Sequence, residues 1–558
     1  MKRLFILLPF FLYTLLPLSA QTPSWAEKAA KSVFTLKTFS ANGSLLASST
    51  GFFIGTNGEA VSSYAPFKDA QRAVIIDAQG DEMPVEMILG ANETYDVAKF
   101  KVSTKKTVPL TIASTATNGS SVWLLPYSVK KTPICVKGTV SSAEKFQDTY
   151  EYYTLQLTTE ESQVSCPVLN QEGAVIGIIQ PSAGTKKDIS YAVSARYAAD
   201  LTIKGLSIND PVLKQTAIAK AIPDDQKEAL LALFLASSTM NESQYGNFIE
   251  RFIQKFPQVS DGYLYRARYR TAKEDFNNAE KDMEQVIKLA EQKDDAHYQY
   301  AELIYQKEIY QSDKPYSAWS LDKAFNESQE AYRLNPIPVY LQQQAQIRYA
   351  QQQYAEAYQL YEQLTHTDLR SADIFYAASR CKAQLGEADQ ELALLDSAIN
   401  MFSRPYVKTV APYLLVRAQI LTGMGKFRPA VNDYNDYESL MKTQLGPQFY
   451  YNREIAEVGG HLYQQALNDI NKAIELAPSD PLYRAEKASL EIRVGRHKEA
   501  IETSQQLIRM APEFSDGYLF LGLAQCLTNN KSEGAKNLNK AKELGNEQAQ
   551  SLIDKYAN

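Results

Sequence analysis

From about residue 240 onward the chain repeats itself every 34 residues or so, and no other feature restricts its fold as tightly. Ala466 and Ala500 are 34 apart, as are Pro478 and Pro512, so a small residue recurs where helices must cross and a proline recurs where the second helix must stop. Looser copies stand in "DGYLYRARYRTAKEDFNNAEKDMEQVIKLA", "YLQQQAQIRYAQQQYAEAYQLYEQL" and "FYAASRCKAQLGEADQELALLDSAI". Each reads as a pair of amphipathic helices whose apolar face only the neighbouring pair can cover. The copies must therefore stack into an array with an extended concave surface. The pattern predicts about seven to eight pairs over residues 240–558, with a helical linker at 206–239.

Before about residue 205 the period is different. "SVFTLKTF", "GFFIG", "RAVIIDA", "VAKFKV", "SVWLLPY", "YTLQL" and "GAVIGII" are short apolar runs bounded by Gly, Asn, Asp or Pro, the pattern of an all-β barrel or sandwich over residues 21–205. Gly205, Asn209 and Pro211 punctuate the junction. At the start, "MKRLFILLPFFLYTLLPLSA" combines a Lys2-Arg3 head, a short apolar run and small residues at 19 and 20. It predicts a signal peptide over residues 1–20, cleavage after Ala20, and a periplasmic or secreted protein. No later run approaches 18 unbroken apolar residues, so no membrane span is expected in the mature chain.

The net charge of -6 comes mainly from the helical part, where 40 basic residues face 47 acidic ones after residue 200. That balance offers no electrostatic footprint for nucleic acid. The four cysteines, Cys135, Cys166, Cys381 and Cys526, and the four histidines have no metal-ligand spacing, and neither a cofactor nor a metal is expected.

Residues 50–200 resemble a trypsin-like peptidase domain of the HtrA type. "TGFFIGTNGEAVSSYAPF" is similar to the glycine-led strand that runs into the catalytic histidine, "YDVAKFKV" to the strand with the catalytic aspartate, and "SCPVLNQEGAVIGI" to the end of the nucleophile loop. The helical part resembles tetratricopeptide (TPR) repeats. Together these imply a multidomain protein: an all-β trypsin-like double barrel, then an all-α TPR superhelical solenoid. Carried over position by position, the resemblance puts Ala65 where the histidine belongs, Asp96 on the aspartate and Val164 on the serine. Ser165 and Cys166 then take the places of two glycines, and Ser162 that of an oxyanion-hole glycine.

A serine hydroxyl becomes nucleophilic when an imidazole takes its proton and a carboxylate orients that imidazole. All four histidines, His297, His366, His461 and His497, lie in the repeats. Ser165 is thus a slipped-nucleophile candidate without a base, and Asp96 is expected to be a turn or capping residue. A lysine base from Lys130, Lys131 or Lys137 would have to be buried, and that run reads as solvated. Cys135 and Cys166 are offered as a disulfide, alongside two free thiols.

Two functions follow. The first is a non-catalytic interaction scaffold that binds a protein or peptide partner in the repeat groove through Tyr265, Arg268, Gln346, Tyr349, Arg380, Arg417 and Arg484, the arginines suggesting a carboxylate-bearing partner. The alternative is a divergent serine peptidase whose repeats recruit substrate.

Overall fold

A computed structural model describes residues 22–130, 133–181, 188–442 and 445–557. The expected signal peptide and Lys131 lie outside these. The chain forms two compact units, Met1–Ala290 and Glu291–Asn558.

The first unit contains two closed six-stranded antiparallel barrels. β1 (Val33–Phe39), β2 (Leu45–Phe53), β3 (Glu59–Ser62), β4 (Arg72–Ile76), β5 (Glu82–Asn92) and β6 (Val97–Val102) close in the order β1-β2-β3-β6-β5-β4. β7 (Ser121–Leu124), β8 (Val136–Phe146), β9 (Tyr150–Gln156), β10 (Pro167–Leu169), β11 (Val175–Ile179) and β12 (Ile189–Ser194) close as β10-β11-β12-β9-β8-β7. Alternation along the strands sorts the apolar residues between separate cores. Along β1, Phe34 and Leu36 fill the first barrel together with Phe53, Phe67 and Phe100. Val33, one residue out of phase, joins Phe52, Val61, Leu125, Leu169 and Val193 in a layer shared by both barrels. The second barrel closes on Val122, Leu124, Tyr153, Leu155 and Val168. Gly58 makes the tight β2–β3 turn at φ +92°, where a side chain would collide with the Val102 carbonyl.

The stretch read as a linker is bound to the first barrel rather than free. The Tyr64 hydroxyl donates to the Val212 carbonyl at 2.6 Å, and the Asp69 amide to that of Gln215 at 2.7 Å. Ile88 of β5 and Lys220 form a parallel bridge. The helices Gln226–Thr239, Glu242–Lys255, Ser260–Ala272 and Phe276–Leu289 complete this unit.

The second unit is the helical solenoid, built of antiparallel pairs that pack chiefly on their sequence neighbours, such as Ala411–Gly423 with Phe427–Met441 and Pro481–Arg493 with His497–Met510. The short turn inside six of the described pairs of this unit carries one residue with left-handed backbone. Gly386, Gly425 and Gly495 supply it in three pairs, whereas Gln352, His461 and Asn529 adopt φ of 62°, 61° and 66° without that freedom.

A recurring ionic joint ties consecutive helices. Arg266, Arg417 and Arg453, each on the first helix of a pair, fork onto Asp282, Asp433 and Asp469, sixteen residues later on the second. Each also reaches back to an acid on the preceding helix: Glu250, Asp396 or Glu438. The three aspartates are nearly buried, and two parallel charge-assisted bonds are what such a carboxylate needs there.

Candidate active-site cleft

The positions matched to a catalytic triad do meet between the barrels, two of them with different side chains and all with different bonds. Ala65 opens the short 3-10 turn Ala65–Phe67 that follows β3. Asp96 sits before β6 at φ +44°, and its Oδ1 accepts the Ala65 amide at 2.7 Å, with the Tyr64 amide as a second donor. Burial pushes the Asp96 carboxyl above its usual range, while these two amides and Lys68 pull it back. The aspartate therefore closes the turn that a histidine would occupy, as a cap does.

On the other side, Glu161–Gln163 form a 3-10 turn inside the loop before β10. Val164 follows, half-buried, and its amide donates to the Glu161 carbonyl at 3.2 Å. An oxyanion hole needs that amide aimed at the reacting carbonyl, and here it is engaged within its own loop. Ser162 is exposed.

Ser165 has φ +69°, the left-handed conformation that a glycine takes without cost, which fits its assignment to a glycine of the family pattern. Its side chain is fully buried. The Ser165 Oγ accepts the Ser63 amide at 3.2 Å and the Ser49 hydroxyl at 3.2 Å, and Ser49 and Ser63 share a further bond at 3.1 Å. This triangle of serines stitches the second barrel to the first. None of the three can act as a base at neutral pH. Sequence reasoning missed it because Ser49, within β2, and Ser63, just after β3, carry no signal in a linear reading.

The two described lysines among those offered as alternative bases stay outward. Lys130 is exposed, and the Lys137 ammonium lies over the Trp123 ring, 5.6 Å from its centroid.

The proposed Cys135–Cys166 bridge is not formed: all four cysteines are free thiols. Cys166 belongs to the core of the second barrel, where burial pushes its thiol up to about 12. Cys135 packs against the layer between the barrels, and burial lifts its thiol to about 11. Neither has the electropositive setting that makes a thiolate nucleophile.

The seven residues assigned to a groove fall into two sets. Tyr265 and Arg268 belong to the first unit and the others to the second. Tyr265 is half-buried against the core of the early helices, and Arg268 is exposed near it. Tyr349 and Arg380 meet across neighbouring helices, the guanidinium 4.8 Å from the ring centroid and donating to the hydroxyl at 3.1 Å. Gln346 is exposed on the same helix as Tyr349. Arg417 is a member of the ionic joints and is not available to a partner carboxylate. Arg484 donates to the Pro478 carbonyl and lies 3.4 Å from the Met510 sulfur. The expectation of an arginine-lined groove reduces in the second unit to Arg380 with Tyr349, because an arginine in the first helix of a pair can also be a structural fastener.

No helix among the described residues is long and apolar enough to cross a membrane. Among curated proteins, the DnaJ homolog subfamily C member 7 of Mus musculus is 30% identical over 88 residues, 16% of this chain and 18% of that one. The serine/threonine-protein phosphatase T of Trypanosoma brucei brucei (strain 927/4 GUTat10.1) is 31% identical over 91 residues, 16% and 19%. The match thus spans less than a fifth of the length of either relative. Among solved structures, the active form of the Rv3671c protease from M. tuberculosis aligns over 35% of this chain and 92% of its own at 16% identity and a TM-score of 0.28. The HtrA-type protease AlgW with decapeptide aligns over 31% and 64% at 15% identity and a TM-score of 0.27. Residues 49–178 match the family model described as trypsin-like peptidase domain, and the double barrel of this chain is a domain of that kind.

Proposed function

We propose that the protein is an exported, non-catalytic interaction scaffold, in which a trypsin-like barrel pair without a working triad accompanies a helical repeat array that binds a protein or peptide partner. The observation that carries this reading is the bonding of Ser165. Its hydroxyl is fully buried in a triangle with Ser49 and Ser63, and the first 296 residues contain no histidine to take its proton. The capping role of Asp96 and the engaged Val164 amide support the same conclusion. On the array, the stacked Tyr349–Arg380 pair with exposed Gln346 nearby is of the residue types that anchor partners. Export rests on the signal-like residues 1–20.

The test incubates the full chain with unfolded protein and searches by mass spectrometry for new termini, then uses the same chain to capture proteins from the exported fraction. The scaffold reading expects no termini beyond those found with Ser165→Ala, and a captured protein that is lost when Tyr349→Ala and Arg380→Glu are combined. New termini that disappear with Ser165→Ala would establish a divergent peptidase instead.

A further inference from the structure

A cavity of about 570 Å³ lies in the first unit, between the strap that follows the barrels and the helix Glu242–Lys255. That volume falls in the range of small-molecule sites. Its walls include Leu213 and Ile218 from the strap, and Met240 and Phe248 from the helical side. Two cationic residues line it, Lys220 and Arg251.

Neither cation has a carboxylate partner within ion-pair distance among the described residues. The Arg251 guanidinium donates to the Lys220 carbonyl at 2.8 Å and sits 3.4 Å from the Met87 sulfur, which leaves most of its five N–H donors uncommitted. The Lys220 ammonium donates to the Thr216 carbonyl, on the cavity's own wall. Its backbone is pinned, because Ile88 exchanges two bonds with Ala219 and Ala221 on either side at 2.8 Å each. Burial without a counter-charge disfavours the ammonium and lowers Lys220 to about 8. The remaining charged groups at the cavity are Lys214 and Glu250, both exposed, and Glu250 is held by Arg266 at 2.7 Å; the exposed Glu86 of β5 also favours the charge of Arg251 from beyond ion-pair distance.

A cavity walled by apolar and neutral polar side chains, with two cations that make no ion pair within 4 Å among the described residues, complements one kind of small molecule. We propose that this cavity binds a small organic carboxylate, its hydrocarbon body against Leu213, Ile218, Met240 and Phe248 and its carboxylate on Lys220 and Arg251. Fork-shaped guanidinium donors and an ammonium are the pair of groups that hold such an anion. The site is separate from the cleft between the barrels and does not depend on whether the cleft is catalytic.

Isothermal titration of the full chain with octanoate and with octan-1-ol tests the assignment. Octanoate is expected to bind with one-to-one stoichiometry, at least tenfold tighter than the alcohol. Lys220→Met should weaken octanoate binding at least tenfold, and Lys220→Arg should retain it within a few fold. A further measurement needs no variant. Octanoate stays ionised above pH 7, so its affinity should fall about tenfold between pH 7 and pH 9 as a lysine titrating near 8 loses its proton, whereas an ordinary lysine would leave it level. Absence of octanoate binding at millimolar concentration, equal affinity for the alcohol, or octanoate binding unaffected by Lys220→Met would each overturn the proposal.

Discussion

Replacing Arg417 by methionine removes the guanidinium that forks onto Asp433 with two bonds of 2.7 Å, and leaves a carboxylate that is 4% exposed. Breaking a buried pair from one side costs about 3–5 kcal/mol, because the surviving charge has lost its compensation. Asp433 has one escape, which is to take a proton. With an unfolded pKa of about 3.9, protonation at pH 7 costs about 4 kcal/mol, and at pH 5 only about 1.5 kcal/mol, so the escape sets a ceiling that falls with pH. Arg417→Met should therefore destabilise its part of the array by about 4 kcal/mol at pH 7 and by roughly half that or less at pH 5. Adding Asp433→Leu should restore most of the loss, since the other partner, Asp396, is half exposed and can be solvated. Repeat arrays need not unfold in one step, so hydrogen exchange of the helices Ala411–Gly423 and Phe427–Met441 is a better reading than a single global midpoint. A loss below about 1 kcal/mol at pH 7, or one that is the same at pH 5, would refute the view that these joints hold buried charge.

Ser165→Ala deletes the acceptor of the buried Ser63 amide and should destabilise the barrels by about 1–3 kcal/mol in a urea titration. His461→Gly relieves a left-handed backbone at φ 61° in the turn between the helices Pro447–Gly459 and Tyr463–Leu476 and should raise stability by about 1 kcal/mol, read by exchange of those helices. Glu454 and Glu457 are buried on the helix Pro447–Gly459, and burial first, then neighbouring acids, raises both to about 8. Their folded pKa lies above the unfolded one, so the stability they allow is present below about pH 4.5 and is lost as pH rises through 8. Glu457→Gln should thus flatten the decline of array stability between pH 5 and 9, as followed by circular dichroism.

The two-part architecture was legible because each part has its own period. Alternating short runs bounded by turn residues gave the strands, and the 34-residue spacing with Pro478 and Pro512 marked the pairs that end near them. The strap over the first barrel was not legible, since residues 206–222 have no periodicity, and their hold on Tyr64, Asp69 and Ile88 is made largely by backbone groups. In the cleft, the resemblance places Ala65 and Val164 at the histidine and serine positions, which the sequence alone could suggest. What replaced them could not be read there, because the Ser49–Ser63–Ser165 triangle joins residues up to 116 apart. The misjudged disulfide has a similar origin: Cys135 and Cys166 share a barrel in sequence but pack into different cores. Arg417 shows a signal that was present and unread, since an arginine followed sixteen residues later by an aspartate occurs at 266, 417 and 453 alike.

The central claim is that no serine in the cleft can be ionised at neutral pH. Prolonged exposure of the full chain to a fluorophosphonate probe at pH 8, followed by peptide mapping, addresses it most directly. The account predicts no adduct on Ser49, Ser63 or Ser165. A stoichiometric adduct on any of them, abolished by its replacement with alanine, would contradict it.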